Sequence, residues 1–569
     1  MCSTPFSAAA VRMASNSRLL VAMTFSHRMC FFAFAAAMTG QNLDPTVEVS
    51  RVYEGRLMEV HKPLLDMAVP DSVVRFDLDF DYSVFDSPYK GSYEFNPYIT
   101  SMRPASAAFK PNVFYLRAGA GYRLYPVADL VWSPSFKNGF MMDVYASHRS
   151  YVGDYRAVMP GTEGWNGYDL WSNGGVSGRY DWKKGTLDFD VAYLGVHSKD
   201  LNVPRALDAV DASFGIASKP AQTFMYDVNL GYRFADDKAA DHIRENFVSM
   251  DADLGPSFKG SHKILFGLGL DLSHYAAEPD WGMARMNVTP HYVYAKGRWK
   301  LDAGVKVDFL VTSVAAEASK AAKRQQVVYP DVHVEFAAVK DAMNLYAKAV
   351  GGNKLNTYSQ LVERNHFADR SFLAGNVLDA TVERLRAVFG MKGRIGTRFS
   401  YDLSGGYAGY ANMLMDSVAE VEGKLAPMVA YSGCNKAFVE LGWLLDTERF
   451  KFDGSAQYAH FWEFESLPGL IAPAALSGDV SAEFNIRKRI FFGVDCAFAT
   501  ARKMIAPVAE NMPYSISGYA DLGCSVEFVT SRKLSFWAHG GNLLNMTIQR
   551  SPLYAEGGIN FTVGLCLNL

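Results

Sequence analysis

From Ile559 to Leu569 every second side chain is large and apolar: Ile559, Phe561, Val563, Leu565, Leu567 and Leu569. Between them stand Asn560, Thr562, Gly564, Cys566 and Asn568, so neither row carries a charge. A period of two places the rows on opposite faces of a strand. An unbroken apolar row backed by small and polar residues suits a wall between lipid and a watery lumen.

The pattern recurs along most of the chain. Val74, Phe76, Leu78, Phe80 and Tyr82 oppose Arg75, Asp77, Asp79 and Asp81. Phe114, Leu116, Ala118, Ala120 and Tyr122 oppose Arg117, Gly119, Gly121 and Arg123, and Leu187, Phe189, Val191 and Tyr193 oppose Asp188 and Asp190. Further rows lie at 224–234, 264–272, 299–309 and 490–498. Each is about ten residues, the length that crosses a bilayer at a tilt. The connections alternate between short ones, such as Lys183-Lys184-Gly185 and Arg487-Lys488-Arg489, and long ones near 85–112, 150–174, 197–222, 351–380, 462–478 and 502–516. Short periplasmic turns and long extracellular loops are the asymmetry expected of an outer-membrane barrel. The fold class is therefore all-β, a transmembrane antiparallel β-barrel of about 18–22 strands, with the region 223–262 leaving the parity open. Trp182, Trp299, Phe450, Phe491 and Trp537 flank short turns and are expected to form a periplasmic aromatic girdle.

Composition supports one large architecture. Aromatics make up 14% of the 569 residues and 47 glycines are spread through the strand-like segments, as in barrels with interfacial aromatic belts. A net charge of -3 gives no argument for a nucleic-acid partner. Residues 1–40 read as a signal peptide whose apolar run, Met29 to Met38, is too short to span a bilayer. Residues 41–72 then form a short periplasmic segment, and 73–569 the barrel. Cys434, Cys496, Cys524 and Cys566 are widely spaced and lack a CxxC pair, so free thiols are expected, with Cys496 and Cys524 toward lipid and Cys566 toward the lumen.

Chemistry is sparse. There is no GxSxG, HExxH or phosphate-binding loop, and no cofactor or enzymatic activity is expected. Asp77, Asp79, Asp81, Arg117, Arg123, Asp188 and Asp190 are candidates for the lumen face, as solvated charges paired across strands. Tyr151, Tyr155, Trp165, Tyr168 and Trp171 stand in a Gly-rich stretch that reads as an external loop. Such aromatics can stack on a flat ligand or fold inward as a brace. The segment from Gly351 to Tyr358 opens the longest loop, for which a turn or a plug folded into the lumen is the default.

The C-terminal region resembles TonB-dependent receptors. Asn542-Leu543-Leu544-Asn545 looks like their penultimate turn, and Pro552 followed by Gly557 to Leu565 looks like their final strand. The Val69-Pro70 to Tyr98 region and the Gly351 loop resemble barrels of this superfamily from Bacteroidota-type bacteria. The resemblance implies Phe561, Val563, Leu565, Leu567 and Leu569 as the signal read by the barrel-assembly machinery, although Leu569 departs from the usual terminal aromatic. It also implies outer-membrane lipid and a surface lipoprotein or other envelope protein as partners. The family's plug domain finds no room in residues 41–72. Solute uptake or passage that this chain does not energise on its own is the leading expectation. A scaffold subunit of an envelope complex is the alternative.

Overall fold

The computed structural model describes residues 113–569, with interruptions at 123, 137–138, 157, 159–163, 201–202, 221, 239–241, 259–260, 277–280, 313–324, 341, 368–377, 422–423 and 509–513. The strands are β1 (Phe114–Tyr122), β2 (Val127–Trp132), β3 (Phe140–Tyr155), β4 (Trp165–Trp182), β5 (Gly185–Asp200), β6 (Val203–Ser218), β7 (Phe224–Asp237) and β8 (Ile243–Phe258). They continue with β9 (His262–Ala276), β10 (Trp281–Lys296), β11 (Trp299–Thr312), β12 (Gln325–Val339), β13 (Met343–Leu355), β14 (Ala380–Ile395), β15 (Phe399–Val421) and β16 (Lys424–Asp446). The last are β17 (Phe450–Trp462), β18 (Leu476–Ile486), β19 (Ile490–Ala499), β20 (Arg502–Lys503), β21 (Ser515–Ile516), β22 (Tyr519–Ser531), β23 (Leu534–Gly541) and β24 (Asn560–Asn568). Among the described residues one short helix, α1 (Tyr358–Arg364), lies between β13 and β14.

Twenty-two of these strands form one sheet in which sequence neighbours pair antiparallel, and β20 and β21 form a separate ribbon. The sheet closes where β24 pairs with β1, with Gly119 opposite Gly564 and Arg117 opposite Cys566. Closure leaves no unpaired edge, the condition a sheet must meet to stand in lipid. The strand expected at 74–82 lies outside the described residues, and the closed ring runs from Phe114 to Asn568.

The outward face follows the apolar rows. Val191, Tyr193, Phe214, Leu230, Phe266, Val305, Phe492 and Val563 are exposed, a belt that suits hydrocarbon and would not persist in water. Cys496 and Cys524 lie on that face and Cys566 is buried on the inner one, and the described cysteines are all free. Trp182, Trp299 and Phe450 sit beside short turns on the outside, as expected. Phe491 and Trp537 do not: each is one residue out of phase, so Phe492 and Phe536 face outward and Trp537 is buried inside. Trp537 fits because its neighbours are glycines. A Cβ on Gly119 or Gly564 would come 2.5 or 2.6 Å from the indole.

Two expected loops are largely strand. Residues 150–174 belong mostly to β3 and β4, and 197–222 contains the whole of β6. The strands are longer than a bilayer requires, up to 23 residues in β15 and β16. They continue beyond the lipid as a hydrogen-bonded collar, where simple alternation no longer marks them.

Candidate functional site

Inside this collar the polarity of the inner face inverts. Near the periplasmic end β5 points Asp188 and Asp190 inward; near the other end the same face carries Leu194 and Val196, both buried. Leu207 and Ala209 of β6, Ala235 of β7, Ile243 of β8, Tyr275 of β9, Trp281 and Met283 of β10 and Leu310 of β11 continue the apolar ring. Side chains outside lipid bury apolar surface only against protein, so this ring needs an occupant. The occupant is the segment 356–367 of the β13–β14 connection, which folds into the lumen and seats Tyr358, Leu361 and Val362 against the ring.

The seat is also polar. The Tyr358 hydroxyl donates to Asp237 (2.8 Å), and Ser359 donates its backbone N–H (3.0 Å) and hydroxyl (2.6 Å) to Glu245. Glu245 thus serves a first-turn N–H of α1 that has no partner within the helix. Arg233 donates to Asp211 through Nε (2.5 Å) and Nη2 (2.9 Å), and through Nη1 to Glu363 (2.6 Å) and Ser359 (3.1 Å). Burial holds the Glu363 carboxyl above its ordinary value, opposed by Arg233 and reinforced by Asp211. At the root of the connection Asn356 reaches the Asp379 carbonyl (2.8 Å) and the Tyr431 hydroxyl (3.2 Å), and Tyr431 donates to the same carbonyl (2.8 Å).

The segment 356–367 crosses the lumen. It starts at β13, and by His366 it has reached Asp169 of β4 (2.7 Å) and the Ser198 hydroxyl of β5. Phe367 then packs on Tyr155 of β3, Trp165 of β4 and Tyr554, at centroid separations of 5.5, 5.7 and 4.5 Å. In a ring of twenty-two strands, β3 and β13 stand almost opposite each other. The segment is therefore a strap from wall to wall. On its other side Arg364 pairs with Asp416 (2.8 Å), which also accepts from Arg502 (2.8 Å) in the β19–β22 connection. Leu470, Ile471, Tyr514 and Ile516 are buried in the neighbouring connections, so these fold together as well.

The candidate residues distribute as follows. Asp188 pairs with Arg179 (2.6 Å), and Asp190 accepts from the Tyr145 hydroxyl (3.1 Å), both on the inner wall. Arg117 lies over the Trp537 ring at 4.2 Å. Asp77, Asp79, Asp81 and Arg123 lie outside the described residues. Tyr151, Tyr155, Trp165, Tyr168 and Trp171 are on β3 and β4, not on a loop. Tyr155 stacks on Trp165 (4.1 Å) and meets Tyr151 edge-on (5.0 Å), while Trp171 is buried in the apolar ring. Phe561, Val563 and Leu565 face outward on β24. The strap's wall partners, Arg233, Asp237, Glu245 and Asp169, were not singled out from the sequence as partners of that loop. The loop itself carried one local sign, Tyr358, Leu361 and Val362 at helical spacing after the alternation stops.

A closed, antiparallel 22-strand barrel with an apolar outer belt and a polar inner wall is an outer-membrane architecture. At the level of sequence no family model and no curated protein matches the chain. Solved structures do match in fold. The copper transporter OprC superposes with a TM-score of 0.57 at 11% identity, covering 80% of each chain. The FrpB iron transporter from Neisseria meningitidis gives 0.62 at 8%, covering 81% of this chain and 82% of that one. The siderophore receptor PiuA from Acinetobacter baumannii gives 0.57 at 9%, covering 82% of both. The chain thus shares the barrel fold of these solved structures, which are named as transporters and a receptor.

Proposed function

We propose that this chain is an integral outer-membrane barrel through which a small hydrophilic solute passes, and that it does not energise the passage on its own. The observation that carries this reading is the strap. A 22-strand wall is too wide for its own side chains to fill, and this one is crossed at its mouth by a segment held by apolar contacts together with hydrogen bonds and ion pairs. A barrel used only as an anchor gains nothing from such a closure. The transport activities named for the similar structures support the reading.

The inner wall favours cations. Between β4 and β11 its described carboxylates, among them Asp188, Asp190, Asp211, Asp253, Asp271 and Asp308, outnumber the inward Arg and Lys residues. Arg285 lies between Asp271 (2.8 Å) and Asp308 (3.1 Å), and His291 between Asp302 (2.8 Å) and Asp253 (3.4 Å). Such a lumen concentrates positive charge along the path. The test is flux in liposomes containing the purified protein. Passage of small neutral and cationic solutes ahead of anions of equal size is expected. No passage, either by the intact protein or by one with Tyr358–Arg364 replaced by a Gly-Ser linker, overturns the reading.

A further inference from the structure

We propose that the strap is a latched gate, seated by Arg233, and that solute passes only when α1 leaves its seat. The inference rests on the transport reading above and adds a device to it. Three features of the seat carry it.

The first is placement. The strap runs between nearly opposite sectors of the ring, from Asn356 at β13 to Phe367 beside β3 and β4, and Arg364 reaches Asp416 of β15 on its other side, so it touches the wall on both sides of the lumen. The second is the hinge. Asn356 and Asp379, at the two roots of the connection, are both tied to Tyr431 of β16. The strap is therefore fixed where it leaves the wall, and among the described residues its far end meets side chains of β3, β4 and β5 and Tyr554.

The third is charge. Asp211 and Glu363 are both within hydrogen-bond distance of Arg233, and Glu245 meets the same Ser359 that Arg233 contacts. Asp237 adds a fourth carboxylate through Tyr358. The Arg233 guanidinium thus bridges Asp211 of the wall and Glu363 of the strap, with Glu245 and Asp237 close by. Without it the carboxylate of the strap would face carboxylates of the wall in a poorly hydrated space, and repulsion would favour departure. Arg233 is thus the contact that ties the carboxylate of the strap to a carboxylate of the wall, as a latch does.

The experiment is planar-bilayer conductance in a background carrying Cys434→Ser, Cys496→Ser, Cys524→Ser and Cys566→Ser. Glu245→Cys with Ser359→Cys, joined by a short reducible bis-thiol linker, ties the strap to the wall. The linked protein is expected to lose conductance, and reductant to restore it. Arg233→Ala is expected to raise the open fraction at least tenfold over the parent. Conductance that is the same before and after linkage overturns the gate while leaving transport standing. If the Gly-Ser replacement of Tyr358–Arg364 also fails to conduct, gate and transport reading fall together. Arg233→Ala that is assembled, as judged by heat-modifiable gel mobility, and opens no more often than the parent overturns the role of the latch.

Discussion

Arg233 of β7 and Glu363 of α1, separated by 130 positions in the chain, meet at 2.6 Å inside the barrel. One end of that contact belongs to the wall and the other to the strap, so the pair reports whether the strap is seated.

Seating is expected to depend on pH through Glu363. Burial raises its folded-state pKa above the ordinary 4.5, and Asp211 adds to the rise while Arg233 and His366 oppose it. A raised carboxyl favours the seated state below its ordinary value, and this contribution is lost as pH climbs through the raised one. The groups facing it are Arg233 and Asp211 on the wall and His366 on the strap. Spin labels on the strap and on β8 should therefore report a larger seated fraction as pH falls from neutrality toward 4.5. Glu363→Gln should flatten the curve. A seated fraction that falls on acidification contradicts the assignment.

Phe367 anchors the far end of the strap among Tyr155, Trp165 and Tyr554. Phe367→Ala removes a buried aromatic, a change that costs about 3–5 kcal/mol in a tight core. The cost falls on the strap alone, because the ring closes without it. Hydrogen exchange across 356–367 is expected to accelerate while the wall strands stay protected. Equal acceleration in β3 and β4 would show the cluster to be part of the wall.

The seam is sensitive to volume. Gly564→Val would drive a side chain into the Ala118 carbonyl, which a Cβ would meet at 2.1 Å, and into the Trp537 indole at 2.6 Å, of which only the second is relieved by shortening Trp537. Overpacking of this kind costs about 1–3 kcal/mol. The temperature at which the folded band converts to the unfolded one on a gel should drop, and Trp537→Ala in the same chain should recover part of the loss. No recovery would place the strain elsewhere.

Leu565 tests the orientation of the wall. It is 37% exposed and points away from the lumen. Leu565→Arg near the bilayer midplane is expected to cost about 2–4 kcal/mol and to reduce assembly in the outer membrane. Insertion at the level of the parent chain would contradict the face assignment.

The barrel was legible wherever one face meets hydrocarbon and the other water. Val191 and Tyr193 against Asp188 and Asp190 show why: lipid admits no charge, and the rule repeats on every strand. The same β5 then turns Leu194 and Val196 inward and His197 outward, because above the lipid the strap, and not the membrane, covers apolar surface. That inversion hid β6 and the upper halves of β3 and β4, and made Tyr151, Tyr155 and Trp171 look like loop residues. The strap left a faint trace in Tyr358, Leu361 and Val362. Its partners left none, since nothing local in the chain ties Glu245 to Ser359. Phe491 and Trp537 face the lumen for a simpler reason: in a strand, one residue of phase exchanges lipid for lumen.

The most direct measurement is a cryo-electron microscopy reconstruction of the protein in a lipid nanodisc at neutral pH. A closed 22-strand ring is expected, with Tyr358 beside Asp237, Ser359 beside Glu245 and Phe367 packed on Trp165 across the mouth. A ring of the same strands whose β13–β14 connection projects outward, leaving the lumen uncrossed, would contradict it.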